Sequence, residues 1–274
     1  MRFGTVRGGP GTPARGRPRR RIGAVTGAGL AVMNNGRVLL LAFDTATPAV
    51  TVALRGEDGV LAEHTEVDAR RHGELLAPGI ERVLAAAGAS RTALTAVAVG
   101  VGPGPFTGLR VGLMTARALG DALEIPVYGV CTLDILAAAV LAAGPAGDFA
   151  VATDARRREV YWAEYDAHGR RRTPPAVDRP ADIAERLAGR AVAGQGPALY
   201  PELFPHAFEP ALPSAAGLAE LTARLLAEDP GALLPPLPLY LRRPDAVEPG
   251  ARKSVHQPDA RELGGRATTG AGRA

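Results

Sequence analysis

Thr95-Ala96-Val97-Ala98-Val99-Gly100-Val101-Gly102-Pro103-Gly104-Pro105-Phe106-Thr107-Gly108-Leu109-Arg110-Val111-Gly112-Leu113 is the stretch that decides the fold. Residues 95–101 are apolar and rich in β-branched side chains, the composition of a short buried strand. Gly and Pro then punctuate a loop over 102–108. From Leu109 to Leu123 the apolar residues Leu109, Leu113, Ala116 and Leu119 return at helical spacing, with Thr107 as the expected N-cap. Strand, glycine loop and helix N-terminus in that order often meet a phosphate. The spacing Gly-x-Gly-x-x-x-Gly misses the dinucleotide fingerprint, and no Gly-Lys-Ser/Thr is present. Pro103 and Pro105 contribute no N–H. On these residues alone two readings stand: a rigid turn with small residues for close packing, or a phosphate loop.

Outward from this stretch the pattern is orderly. Apolar runs at 38–43, 49–54 and 59–67 read as strands joined by tight turns, an antiparallel meander. Residues 72–87 read as a helix with Leu76, Ile80, Val83 and Leu84 on one stripe. Strand 126–130 and helix 133–141 follow the central stretch. Three strands and then alternating helix and strand is the order of the ribonuclease-H-like half of the actin, Hsp70 and sugar-kinase α/β fold. The second half repeats the theme loosely. Strands at 149–153 and 159–165 flank a turn carrying Asp154, Arg156, Arg157 and Arg158, and helices fall at 181–187 and 215–227 with a strand at 191–193. Leu234-Pro235-Pro236-Leu237-Pro238 excludes regular structure and is expected on the surface. The expected organisation is a basic arm at 1–36, a first subdomain at 37–141, a second at 142–247 whose last helix packs back on the first, and a disordered tail at 248–274.

The chain of 274 residues has a net charge of +4 and a single cysteine. Lone Cys131 excludes an intramolecular disulfide framework and fits a reducing compartment. Residues 1–36 hold seven arginines and no acidic residue, so the remainder is net negative. The arm reads as disordered or as a start assigned too early, with a signal peptide and a nucleic-acid-binding arm as the other readings. No apolar run reaches the length of a membrane span.

The candidate chemistry is sparse. In the actin-like fold the first hairpin turn binds phosphate, and here it reads Asp44-Thr45-Ala46-Thr47, with Ala46 where a permissive Gly would sit. Asp44 either holds a metal-bound water or caps the turn through nearby N–H groups. Candidate phosphate-proximal residues are Asp44, Thr45, Thr47, Gly102, Gly104, Thr107, Gly108 and Arg110. The five histidines show no metal-pair spacing, and no Gly-x-Ser-x-Gly elbow occurs. In the helix at 72–87, Pro78 lies between Ala77 and Gly79. The apolar residues there cover more than one stripe, so the helix is either a kinked core helix or a partner interface.

Phe43-Asp44-Thr45-Ala46-Thr47, Arg71-His72-Gly73-Glu74-Leu75-Leu76-Ala77-Pro78 and Gly100-Val101-Gly102-Pro103-Gly104-Pro105-Phe106-Thr107-Gly108-Leu109-Arg110-Val111-Gly112 resemble the bacterial TsaB family over roughly residues 37–247. Tyr240-Leu241-Arg242 also fits that family's ending. The resemblance implies an actin-like fold of two subdomains and a part in making N6-threonylcarbamoyladenosine at position 37 of tRNA. It implies a scaffold or activator subunit, inactive alone and without catalytic residues, that dimerises with the homologous catalytic subunit TsaD. A P-loop ATPase subunit, TsaE, is the implied third partner, with tRNA reached through the complex and a homodimer in the absence of TsaD. TsaD holds a metal through a His-x-x-x-His pair. Here Leu76 stands four residues after His72, so no metal and no cofactor of its own is expected, with ATP or ADP only at the interface with TsaD. The partner face is expected at His72, Leu75, Leu76, Gly79, Ile80 and Val83, and the setting is expected to be cytoplasmic, away from membranes. The alternative function is a stand-alone ATP-dependent phosphotransferase using Asp44 and the 102–108 loop.

Overall fold

The computed structural model describes residues 38–144 and 147–242. The arm expected at 1–36 and the tail expected at 248–274 lie outside the described residues. Two five-stranded sheets carry the chain. The first holds β1 (Leu40–Asp44), β2 (Ala49–Arg55), β3 (Val60–Val67), β4 (Ala96–Gly100) and β5 (Val127–Val130) in the order β3-β2-β1-β4-β5. β1, β2 and β3 pair antiparallel, while β1, β4 and β5 pair parallel. The second sheet holds β6 (Phe149–Asp154), β7 (Val160–Tyr165), β8 (Ala176–Asp178), β9 (Ala191–Ala193) and β10 (Ala207–Phe208) in the order β10-β9-β6-β7-β8. Numbered within each half, both orders are the same. The chain thus has the ribonuclease-H-like fold of the actin type, built twice.

Period-two alternation explains why β1 and β4 are apolar throughout. Leu41, Phe43, Val97 and Val99 face one side and pack with Leu76, Ile80 and Val83 of helix α1 (His72–Ala86) and with Leu109, Leu113 and Ala116 of helix α2 (Phe106–Leu123). Leu40, Ala42, Ala96 and Ala98 face the other side, against Leu218, Leu221 and Leu226. In the second half Phe149, Val151, Ala163 and Tyr165 pack on Leu133, Leu136 and Val140 of helix α3 (Thr132–Ala142). Ile183, which ends the short helix α4 (Pro180–Ile183), joins Trp162, Val192 and Phe204 on the opposite face. The single turn α5 (Gly196–Leu199) follows β9.

Helix α6 (Ala215–Glu228) follows β10 in sequence but covers the first sheet. Its N-terminus is anchored there. Ser214 Oγ accepts from Gly217 N at 3.1 Å and donates to Glu63 of β3 at 2.8 Å. Ala216 N donates to the same carboxylate at 3.0 Å, and Ala215 N donates to Thr51 Oγ1 at 2.9 Å. The first-turn N–H groups that a helix leaves unpaired are therefore met by side chains of another element.

Three expectations are corrected. α2 begins at Phe106 after Pro105, so Thr107 lies within the first turn and caps nothing; Pro105 already supplies the extended entry to the helix. The helix expected at 181–187 is regular only over Pro180–Ile183. The proline-rich segment at 234–238 is not merely superficial. Gly129 N donates to Leu234 O at 2.7 Å, Leu234 N returns a bond at 2.9 Å, and Leu239 N donates to Val101 O at 2.9 Å. Leu234 thus pairs with Gly129 of β5 and Leu239 with Val101 after β4, while the prolines, lacking N–H, sit between them. β8, β10 and α5 escaped the sequence reading because each is too short to show a period. Among the described residues no helix is long and apolar enough to cross a membrane.

Replacing Ser214 with Ala removes the α6 cap. Urea unfolding of Ser214→Ala should show a loss of about 1 kcal/mol, with a similar or larger loss for Glu63→Ala. An unchanged midpoint in both would mean that the anchor contributes nothing.

Candidate functional site

The site of interest lies where the β1–β2 turn, the 101–105 loop and the N-termini of α1 and α2 converge. Asp44 ends β1 and is 0% exposed. One carboxylate oxygen accepts from Ala46 N at 2.6 Å, and the other accepts from Thr132 Oγ1 at 2.7 Å. Thr132 Oγ1 also accepts from Gly102 N at 3.2 Å, and Thr132 N donates to Gly102 O at 2.8 Å. Asp44 therefore caps its own turn and ties it to the loop and to the first residue of α3. Burial pushes its carboxyl above the usual range, and the donors from Thr132 and Ala46 oppose that shift.

The glycine loop is pressed onto the same turn. A Cβ at Gly104 would overlap the Ala46 carbonyl, and one at Gly100 would overlap the Asp44 carboxylate. Thr45 Oγ1 donates to Gly108 O at 2.8 Å and accepts from Gly112 N at 3.1 Å, so its hydroxyl serves α2. His72 donates from Nε2 to Thr47 O at 2.8 Å. Of the two readings of the loop, the structure supports close packing: the space beside Asp44, Ala46 and Gly104 is filled by the chain itself.

What remains open is a cleft of about 250 Å³ in front of this interlock. Thr45, Thr47, His72, Thr107 and Gly108 line it, together with Arg70 and Arg156. Asp44, Gly102 and Gly104 are buried and do not line it. Arg110 does not line it either. Its guanidinium sits 4.0 Å from the Phe106 ring centroid and donates to Tyr240 Oη at 3.1 Å on the outer face of α2. Arg70 and Arg156 went unpredicted because they lie 86 residues apart in sequence and meet only through the approach of the two halves.

The partner face expected on α1 is made largely of residues that the chain itself buries. His72, Leu76, Gly79, Ile80 and Val83 are buried, and Leu75 is half-buried. These side chains serve the chain's own core because α1 lies across β2 and β3; a Cβ at Gly79 would stand 3.2 Å from Val52. α2 presents larger apolar side chains outward. Phe106 is 47% exposed, Met114 is 51% exposed, and Phe106 stacks on Tyr240 with ring centroids 5.6 Å apart. Cys131 is buried, and burial pushes its thiol up to about 12, which disfavours the thiolate. Among the described residues no group of three or more His, Cys, Asp or Glu is placed to hold a metal ion.

These features define an actin-type fold whose first hairpin turn is interlocked with the glycine loop and with the start of α3. A family model described as "TsaD: tRNA N6-adenosine threonylcarbamoyltransferase" matches residues 59–244. A Mycobacterium tuberculosis protein described as uncharacterized is 49% identical over 210 residues, 76% of this chain and 93% of that one. The Escherichia coli tRNA threonylcarbamoyladenosine biosynthesis protein TsaB is 39% identical over 154 residues, 54% of this chain and 65% of that protein. Among solved structures, YeaZ from Pseudomonas aeruginosa superposes with a TM-score of 0.64 at 35% identity, covering 74% of this chain and 100% of that one. The chain belongs to the TsaD-type threonylcarbamoyltransferase family and is TsaB-like within it.

Gly104→Ala should lower stability by about 1–3 kcal/mol, because the new methyl must displace the β1–β2 turn. A glycine kept only to admit a phosphate would tolerate the change without ligand, so an unaltered thermal midpoint would contradict the packing role. Leu76→Ala should cost about 2–5 kcal/mol as a core truncation. A fully stable Leu76→Ala chain would return that residue to the surface.

Proposed function

We propose that this chain takes part in the biosynthesis of tRNA threonylcarbamoyladenosine as a TsaB-type subunit that supports a TsaD-type catalytic partner. The observation that carries this reading is the interlock around Asp44. The carboxylate that the fold offers to a nucleotide-bound metal is instead buried and committed to Ala46 and Thr132. A chain built in this way contributes surface and shape, with no catalytic residues and no cofactor of its own. Nucleotide belongs at most to the interface with the partner, and a TsaE-type ATPase completes the assembly. The alternative, a stand-alone phosphotransferase, requires an acid facing the cleft, and none of the cleft-lining residues is acidic.

The partner surface in this reading is the outer stripe of α2. Phe106, Arg110 and Met114 follow one another at four-residue spacing, with Tyr240 stacked beside them. Large aromatic, methionine and arginine side chains dominate the energetics of protein interfaces. The Arg110–Tyr240 hydrogen bond holds Phe106 in place before any partner arrives, which lowers the ordering cost of association. A second copy of this chain can use the same stripe about a two-fold axis.

The test is reconstitution of threonylcarbamoyladenosine on unmodified tRNA with the TsaD-type and TsaE-type subunits and the threonylcarbamoyl-adenylate donor. Omitting this chain should abolish or sharply reduce product. Phe106→Glu and Met114→Glu should each weaken binding to the TsaD-type subunit by at least about tenfold, since a charge would be buried unpaired. Their circular dichroism should stay unchanged because both residues are exposed. Normal affinity in both folded variants would move the partner surface elsewhere, and full product without this chain would end the proposal.

A further inference from the structure

The turn joining β6 and β7 has a backbone that its own packing does not require. Arg156, Arg157 and Arg158 have φ of 60°, 56° and 62°, three successive non-glycine residues in the left-handed region. That conformation is costly for a residue with a Cβ. The turn is nevertheless held firmly. Asp154 Oδ1 accepts from Arg156 N at 2.7 Å, Ala155 N donates to Glu159 O at 3.0 Å, and Glu159 N donates to Arg156 O at 3.0 Å. All three arginines are exposed residues, so the result is a fixed, basic tip. Arg156 keeps one ion pair, with Asp154 at 3.1 Å, and remains more than half exposed.

One residue of this tip, Arg156, lines the cleft already described. Arg70, from the loop before α1, lines it too, with Thr47, His72 and Thr107, while the Thr45 hydroxyl there is already donated to Gly108 O. No carboxylate lines the cleft. Two arginines and the Thr47 and Thr107 hydroxyls, with no acid, make a lining for an anion that arrives without a metal. A nucleoside triphosphate needs a counter-cation, and the one acid at hand, Asp44, is buried with both oxygens engaged. A phosphodiester carries a single negative charge per group and needs none.

We propose that the cleft lined by Arg70 and Arg156, with the exposed Arg158 on the same turn, binds the phosphodiester backbone of RNA, so that this chain contacts tRNA directly within the complex. The inference rests on the reading of the chain as a subunit in tRNA modification, and it adds a substrate contact that a purely indirect role would lack. Backbone contacts of this kind position an RNA without reading its sequence. Arginine suits them because its planar fork pairs with two phosphate oxygens.

The test is fluorescence anisotropy of a labelled, unmodified tRNA transcript titrated with the full chain and the TsaD-type subunit across a salt series. The triple variant Arg70→Ala, Arg156→Ala, Arg158→Ala should bind about tenfold more weakly. Its plot of log affinity against log salt should be shallower by roughly two, since each lost phosphate contact removes a little under one unit of slope. The matching lysine variants should recover most of the slope, because a point charge still releases counterions. Arg224→Ala, on the exposed face of α6, should change neither quantity. Equal losses in Arg224→Ala would reduce the effect to overall charge and overturn the proposal. Unchanged RNA affinity and slope in the triple variant would overturn it too, as would a loss confined to binding of the TsaD-type subunit. Formation of threonylcarbamoyladenosine by the unaltered complex is scored separately. Failure there sinks the function itself, whereas success there with unchanged RNA binding in the triple variant sinks only this contact.

Discussion

The two hydrogen bonds accepted by the Asp44 carboxylate hold together three parts of the chain that are far apart in sequence. One comes from Ala46 N within the first turn, and the other comes from Thr132 at the start of α3, whose hydroxyl also takes the Gly102 amide. A buried carboxylate is expensive unless its oxygens are met, and burial already raises its protonation range. Removing the acid would leave the Ala46 amide and the Thr132 hydroxyl without their partner inside the protein. The turn, the glycine loop and α3 are consequently fixed as one block, and the cleft in front of them inherits that rigidity.

From this block the two halves diverge. They share one strand order but treat their central hairpins differently. The first half closes its β1–β2 turn against the glycine loop, while the second leaves its β6–β7 turn exposed and strongly basic. α3 packs its leucines on the second sheet and contributes Ile135 to the first, and α6 returns from the second half to cover the first sheet. These two helices make the halves share cores, so the walls of the cleft are placed by buried apolar contacts and not by the loops that line it.

Much of the fold could be read in advance because its signals are periodic. The continuous apolar runs of β1 and β4 and the 3.6-residue stripe of α1 each reported burial correctly. The sign of exposure was harder. Leu75 and Leu76 differ by one residue, and only the placement of α1 across β2 and β3 decides that Leu76 is core and Leu75 half-buried. Sequence spacing also could not tell a glycine that admits a phosphate from one that admits a carbonyl, and Gly104 admits the carbonyl of Ala46. Arg110 was drawn toward the cleft by its position beside the loop, yet Phe106 and Tyr240 hold it on the outside. Arg156 stood out as one of a basic trio, but its meeting with Arg70 depends on tertiary structure alone.

The central claim is that the fold's phosphate apparatus has become internal packing. Isothermal titration of the purified full chain with Mg²⁺ and ATP tests it most directly. The account predicts no saturable heat up to millimolar nucleotide. Saturable binding that disappears in a folded Asp44→Asn variant would contradict it, because Asp44 would then be facing a ligand and not the Ala46 amide and the Thr132 hydroxyl.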